Sequence, residues 1–194
     1  MKPLFFFIIL FFTHTFQIYK AVAQADSSIV HDDRFVDTSD TLEFTDTTAH
    51  SDFCGCEGIE QVKRCKSCFE SEGPVLKTGY DLSFVKGKII KGSCWNFVNE
   101  VYQKSGVEKT TVFMTKKSGP FADVSLLRPG DWIYHVNYGY HGIEHSAIFV
   151  CWKDRKRKIA ITMSYVGQNR PRPGRLDEAD MKGVYGIFRA KDNK

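Results

Sequence analysis

Cys94 is the first residue from which chemistry can be read. It stands in KGSCWNFVNEVYQKSG, residues 91–106. Trp95, Val98, Val101 and Tyr102, with Phe97 beside them, recur at offsets of three and four and form one face of a helix. Asn96, Asn99, Glu100, Gln103 and Lys104 fill the other side. Ser93 suits an N-cap and Gly106 a stop, so Cys94 is expected at the first helical position. The N-terminal end of a helix carries unpaired N–H groups and the positive pole of its dipole. Both favour the thiolate, which is the nucleophilic form of cysteine, and the same N–H groups can hold an oxyanion. Position alone does not separate this reading from a small, packed, buried thiol.

A cysteine nucleophile usually has a histidine as its proton acceptor. Of the six histidines, His14, His31 and His50 precede the first cysteine, which leaves His135, His141 and His145. Their stretch reads LLRPGDWIYHVNYGYHGIEHSAIFVCW. It parses as a turn at 128–131, a strand over 132–136, a Tyr- and Gly-rich loop over 137–144, and a strand over 145–152. The near-continuous apolar run of the second strand is expected to be buried on both faces. His145 opens that strand beside the loop and is the expected base, whereas His135 and His141 are weaker candidates that could line a groove. A turn at 153–157 should fold 159–166 back alongside, bringing Ser164, Tyr165 or Val166 opposite His145. A slip of one residue would reverse the face. Ser164 is therefore the candidate orienter of the histidine, with Gln168 and Asn169 close behind and Thr162 as the other strand hydroxyl. Each is as readily an ordinary strand or turn residue.

The surrounding chain must position these groups. Residues 1–25 have a basic start, an apolar run over 4–12 and the small triplet Ala21-Val22-Ala23, the pattern of a secretory signal peptide. The run is shorter than the ~20 residues a membrane span needs, although an N-terminal anchor is its rival. The expected location is periplasmic or extracellular, without stable membrane insertion. Residues 26–52 carry eight acidic residues and one basic, and are expected to form a flexible acidic leader. The remainder, 53–194, holds 24 basic and 15 acidic residues. Its basic runs, KDRKRK at 153–158 and RPRPGR at 170–175, read as a solvated hairpin tip and a loop near the groove. Neither implies a nucleic-acid partner.

Cys54, Cys56, Cys65 and Cys68 form C-x-C-x8-C-x2-C within residues 53–78, while Cys94 and Cys151 lie apart. In an exported chain the four clustered cysteines are expected to form two disulfides that staple this extension to the domain over 79–194. A tetrahedral zinc site is the alternative. No other cofactor is expected.

The order of parts, C-x-x-F-V-x-x-V-Y-x-x-x-G, then L-x-P-G-D-W-I, then H-S-A-I-F-V and a further strand, resembles the NlpC family of papain-like cysteine peptidases and its CHAP amidase relatives, over roughly residues 80–190. Where NlpC enzymes read D-C-S-G, this chain reads Ser93-Cys94-Trp95-Asn96. The resemblance implies an α+β fold with the Cys94 helix packed on an antiparallel sheet of about five strands, VYGIFR at 184–189 being the last. It implies hydrolysis of amide bonds in peptidoglycan stem peptides, with Cys94 as nucleophile, His145 as base and Ser164 as the nearest match to the third catalytic residue. Tyr80 resembles the tyrosine that assists the oxyanion. Trp95, Tyr138, Tyr140, Gln168 and Asn169 are the accompanying substrate-binding candidates. The rival readings are a non-catalytic wall-binding module, or an antibacterial amidase toxin or acyltransferase of the same fold. Any inhibitor or immunity protein is undetermined by the sequence.

Overall fold

A computed structural model describes residues 56–165 and 171–191. The signal-like stretch, the acidic leader, Cys54, Gln168 and Asn169 lie outside the described residues. Three short helices open the described chain, α1 (Ile59–Arg64), α2 (Lys66–Ser71) and α3 (Pro74–Tyr80). They precede α4 (Cys94–Ser105), which Ser93 caps and Gly106 ends in the left-handed conformation. Six strands follow: β1 (Lys109–Met114), β2 (Trp132–Asn137), β3 (Ile143–Asp154), β4 (Ile159–Ser164), β5 (Arg175–Asp180) and β6 (Val184–Ala190). They form one antiparallel sheet in the order β1-β6-β2-β3-β4-β5. The domain is α+β. Among the described residues no helix is long and apolar enough to cross a membrane.

Both faces of the sheet are covered, and strand alternation sorts the residues between them. Phe97, Val98, Val101 and Tyr102 of α4 pack on Trp132, Ile148, Val150, Ile161 and Met163. Ile133, Ala147, Phe149, Ala160, Val184 and Ile187 build a second cluster on the reverse face. This explains the continuous apolar run of β3, whose residues feed the two clusters alternately. Gly79 lets α3 approach closely, since a Cβ there would stand 2.8 Å from Met163 Sδ.

The sheet has one strand more than expected. The two strands that periodicity did not reveal, β1 and β5, are both edges of the sheet. β1 is largely exposed and β5 reads RLDEAD, the charged composition with which edge strands resist pairing with other chains. Neither carries a clean apolar alternation.

One of the two described disulfides differs from expectation. Cys56 pairs with Cys151, 95 residues away, with a Cα–Cα distance of 6.4 Å, and Cys65 pairs with Cys68. A β-bulge between Phe149 and Cys151 is the reason Cys151 can take part. The extra residue shifts the alternation, so Cys151 joins the α4-side cluster while Phe149 belongs to the reverse one. The extension is stapled to β3 itself.

The PGDW turn holds α4 to the sheet. The Tyr102 hydroxyl donates to the Gly130 carbonyl at 2.8 Å and accepts from the Trp132 N–H at 3.0 Å. Asp131, fully buried, accepts two bonds from Arg189 of β6 at 2.8 and 2.7 Å and one from the Arg128 N–H at 2.8 Å. Removing one partner of such a pair strands the other charge. Arg189→Met is therefore expected to lower unfolding free energy by about 3 kcal/mol, read from urea titration.

Candidate functional site

The first turn of α4 is built locally. The Ser93 N–H and the Ser93 hydroxyl both donate to Asn96 Oδ1, at 2.9 and 3.0 Å. Asn96 thus closes the helix start back on its own cap, an arrangement akin to the capping box. Gly92 makes room for it: its φ is +112°, and a Cβ there would overlap the Asn96 side chain. Cys94 follows at the first helical position. It is half-buried, and it is the free thiol among the described residues.

A hydroxyl-bearing aromatic cluster lies beside it. Trp95 Nε1–H donates to Tyr134 Oη at 2.9 Å. The Tyr134 ring stacks on Tyr185, with centroids 6.0 Å apart and planes 24° from parallel. The Tyr185 hydroxyl in turn donates to Glu144 Oε1 at 3.2 Å. Trp132 closes the floor, its ring 5.8 Å from Trp95 and its Nε1–H 2.6 Å from Ser146 Oγ. Burial raises the pKa of both tyrosines. Glu144 adds to the effect at Tyr185, and charge on Cys94 pushes both in the same direction. Both phenols therefore stay protonated beside the thiol.

His145 is not part of this cluster. β2 and β3 pair without a slip, with Trp132 opposite Ile148, Tyr134 opposite Ser146 and His135 opposite His145. Residues 132, 134, 146 and 148 face α4, so 133, 135, 145 and 147 face away. On that reverse face the His145 ring lies edge-on to His135, with centroids 5.5 Å apart. Ser164 also falls there, because its neighbour Met163 pairs with Ile148 on the α4 side. The structure thus brings His145 and Ser164 to one face and Cys94 to the other. Glu144, one residue earlier than the expected base, is the side chain that β3 turns toward the α4 side.

Of the remaining candidates, Tyr80 ends α3 with its hydroxyl on the Lys63 carbonyl at 3.3 Å and its ring between Phe69 and Phe84. Its contacts are with the N-terminal helices. Tyr138 and Tyr140 are exposed in the β2–β3 loop. The basic hairpin tip is partly neutralised, Lys153 by Glu178 and Arg157 by Asp154. Among the described residues no group of three or more His, Cys, Asp or Glu is placed to hold a metal ion. The residues that sequence reasoning passed over are Tyr134, Glu144 and Tyr185. The alternation through Trp132 carried the signal for Tyr134, while Tyr185 depends on a bulge that sequence does not mark.

His135 is fully buried, and among the described residues neither ring nitrogen has a hydrogen-bond partner. Burial, reinforced by His145, lowers its pKa to about 3. An unfolded histidine titrates near ~6.5, so between these values the unfolded chain binds the extra proton. Stability is present above the unfolded pKa and lost as pH falls from it, by at most ~1.4 kcal/mol per unit. Denaturant midpoints are expected to drop as pH falls from about 6.5 to about 3, and His135→Leu should flatten that slope.

No family model matches the chain, and no curated protein matches it. Among solved structures, the crystal structure of a wild-type endolysin, LysIME-EF1, is similar, with 15% identity and a TM-score of 0.38 over 58% of this chain. The chain covers 63% of that protein, less than two thirds of its length.

Proposed function

We propose that the chain is an exported cysteine hydrolase in which the Cys94 thiolate attacks an amide carbonyl, with the stem peptide of peptidoglycan as substrate. One observation carries the reading: an unpaired, half-buried thiol at the first position of a capped 12-residue helix, beside protonated phenols. The resemblance of the Cys94 helix and the PGDW turn to NlpC-type enzymes supplies the substrate class. The thiolate adds to the carbonyl carbon and the α4 N-terminus holds the oxyanion. Collapse expels the amine, which takes a proton from solvent, and water then cleaves the thioester to free acid and thiol. With His145 on the other face, the thiol proton leaves to water, which a half-buried Cys94 can reach.

The test is digestion of purified peptidoglycan by wild type and Cys94→Ala, with mass analysis of released fragments. Equal release by the two proteins would end the reading. Exposed Trp95, Tyr138 and Tyr140 support a second one, a wall-binding module. It predicts that Cys94→Ala co-sediments with peptidoglycan as wild type does and that neither protein releases fragments.

A further inference from the structure

Cys65 and Cys68 are joined to each other but sit in unlike surroundings. Cys65 is the corner between α1 and α2. Its N–H donates to the Val62 carbonyl at 3.0 Å, and its carbonyl accepts from the Cys68 N–H at 3.1 Å. Cys65 is half-buried, whereas Cys68 is 1% exposed and lies in the apolar cluster of Val62 and Phe69. Cys65 Sγ stands 3.6 Å from Ser67 Oγ, within hydrogen-bond reach of a sulfur. Lys63, Arg64 and Lys66 flank it in sequence, with Lys66 shared with Glu70 at 3.5 Å and Lys63 over the Phe84 ring. When the bond between the two sulfurs opens, negative charge therefore has a place on Cys65 and none on Cys68. A hydroxyl donor and nearby cations favour a thiolate, and apolar burial favours the neutral thiol. The bond links residues three apart, so opening it returns little entropy to the unfolded chain, and Cys56–Cys151 still staples the domain.

We propose that Cys65–Cys68 is a thiol–disulfide exchange centre that oxidises a dithiol on another polypeptide, with Cys65 as the sulfur attacked and later expelled. This is independent of the reading of Cys94. A partner thiolate attacks Cys65 Sγ, the member of the pair that solvent reaches. The bond to Cys68 breaks, and Cys68 leaves with the electron pair and takes a proton from water, becoming the neutral thiol that its burial favours. The partner is now held to Cys65 by a mixed disulfide. Its second thiol loses a proton to solvent and attacks the partner sulfur of that bond. Cys65 departs as a thiolate that accepts the Ser67 hydroxyl. Two electrons have passed from the partner dithiol to the pair, leaving a disulfide on the partner and two thiols on this chain. A leaving thiol of lower pKa departs faster, so Ser67 and the flanking cations act on the second step.

The first test uses the full chain and a synthetic peptide carrying a pair of reduced cysteines, mixed without oxygen, quenched in acid, alkylated and mapped by mass. The peptide is expected to gain its disulfide while Cys65 and Cys68 become alkylated and Cys56–Cys151 stays closed. The Cys65→Ser/Cys68→Ser chain should leave the peptide reduced. The second test compares the two sulfurs singly. Near pH ~7, Cys65 in the Cys68→Ala chain should form a mixed disulfide with oxidised glutathione about 10-fold faster than Cys68 does in the Cys65→Ala chain. Adding Ser67→Ala to Cys68→Ala should slow that reaction, a response that a purely structural staple does not give. Three results would overturn the proposal: a peptide that stays reduced with wild type, a peptide oxidised equally by the Cys65→Ser/Cys68→Ser chain, or equal rates for Cys65 and Cys68. The wild-type arm carries no substitution, so a variant that fails to fold does not shelter the proposal from it.

Discussion

Cys94→Ala is expected to lower amide hydrolysis by at least ~10³-fold, as removal of a covalent nucleophile does, whereas His145→Ala should leave most of the activity in place. The contrast follows from strand parity. His145 and His135 are a cross-strand pair, and both project from the face of β2 and β3 that carries Ile133 and Ala147. The Cys94 helix covers the opposite face, over Trp132 and Ile148. Burial lowers the His145 pKa, with Arg175 acting in the same direction and Asp177 against it. These are its charged neighbours on β5, and they have no part in the Cys94 cluster. A His145→Ala protein that loses activity as completely as Cys94→Ala, while keeping its wild-type unfolding midpoint, would show that the imidazole serves the thiol. Glu144→Gln is the informative companion. It removes the charge that Tyr185 holds on the α4 side and is expected to change activity more than His145→Ala does.

The Cys94 helix was legible in sequence because every determinant of it is local. Ser93, the apolar offsets from Trp95 to Tyr102, and Gly106 fix its start, face and end without help from distant residues. The same holds for the hairpin of β3 and β4 and for the strand at 184–190, where long apolar runs sit between turn residues. Even the departure at Asn96 has a local cause, for that side chain closes the helix cap. What was not legible depends on parity and on long-range register. Position His145 one residue to either side and it would face α4; no propensity distinguishes the cases, because β3 is buried on both faces and tolerates apolar residues at every position. The reverse-face placement of Ser164 follows from the same register. β1 and β5 escaped notice because edge strands need not alternate. The Tyr134–Tyr185 stack joins residues about fifty positions apart across a bulge, and only the folded sheet brings them together.

The disulfide that reaches outside the expected group of four cysteines is expected to carry the largest stability effect in the domain. Cys56–Cys151 closes a separation of 95 residues, whereas Cys65–Cys68 closes three. If a cross-link acts mainly by restricting the unfolded chain, its contribution grows with the logarithm of the loop, toward about 4.7 kcal/mol for ~100 residues and under about 2 for a few. The double variant Cys56→Ser/Cys151→Ser should therefore lose ~2–5 kcal/mol. Cys65→Ser/Cys68→Ser should lose distinctly less. Replacing both members of each pair avoids a new free thiol that could exchange with Cys94. Denaturant titrations of the two variants and wild type provide the comparison. Equal losses would reject the loop-entropy account and place the stabilisation in native packing around the bulge at Cys151. The site itself should survive the change below the unfolding transition, because α4 is tied to the sheet independently, through Tyr102 on the Gly130 and Trp132 backbone. Retained iodoacetamide reactivity of Cys94 in the folded Cys56→Ser/Cys151→Ser protein is the expected sign of that independence. Its loss would mean that the staple from the N-terminal helices to β3 also sets the position of the thiol.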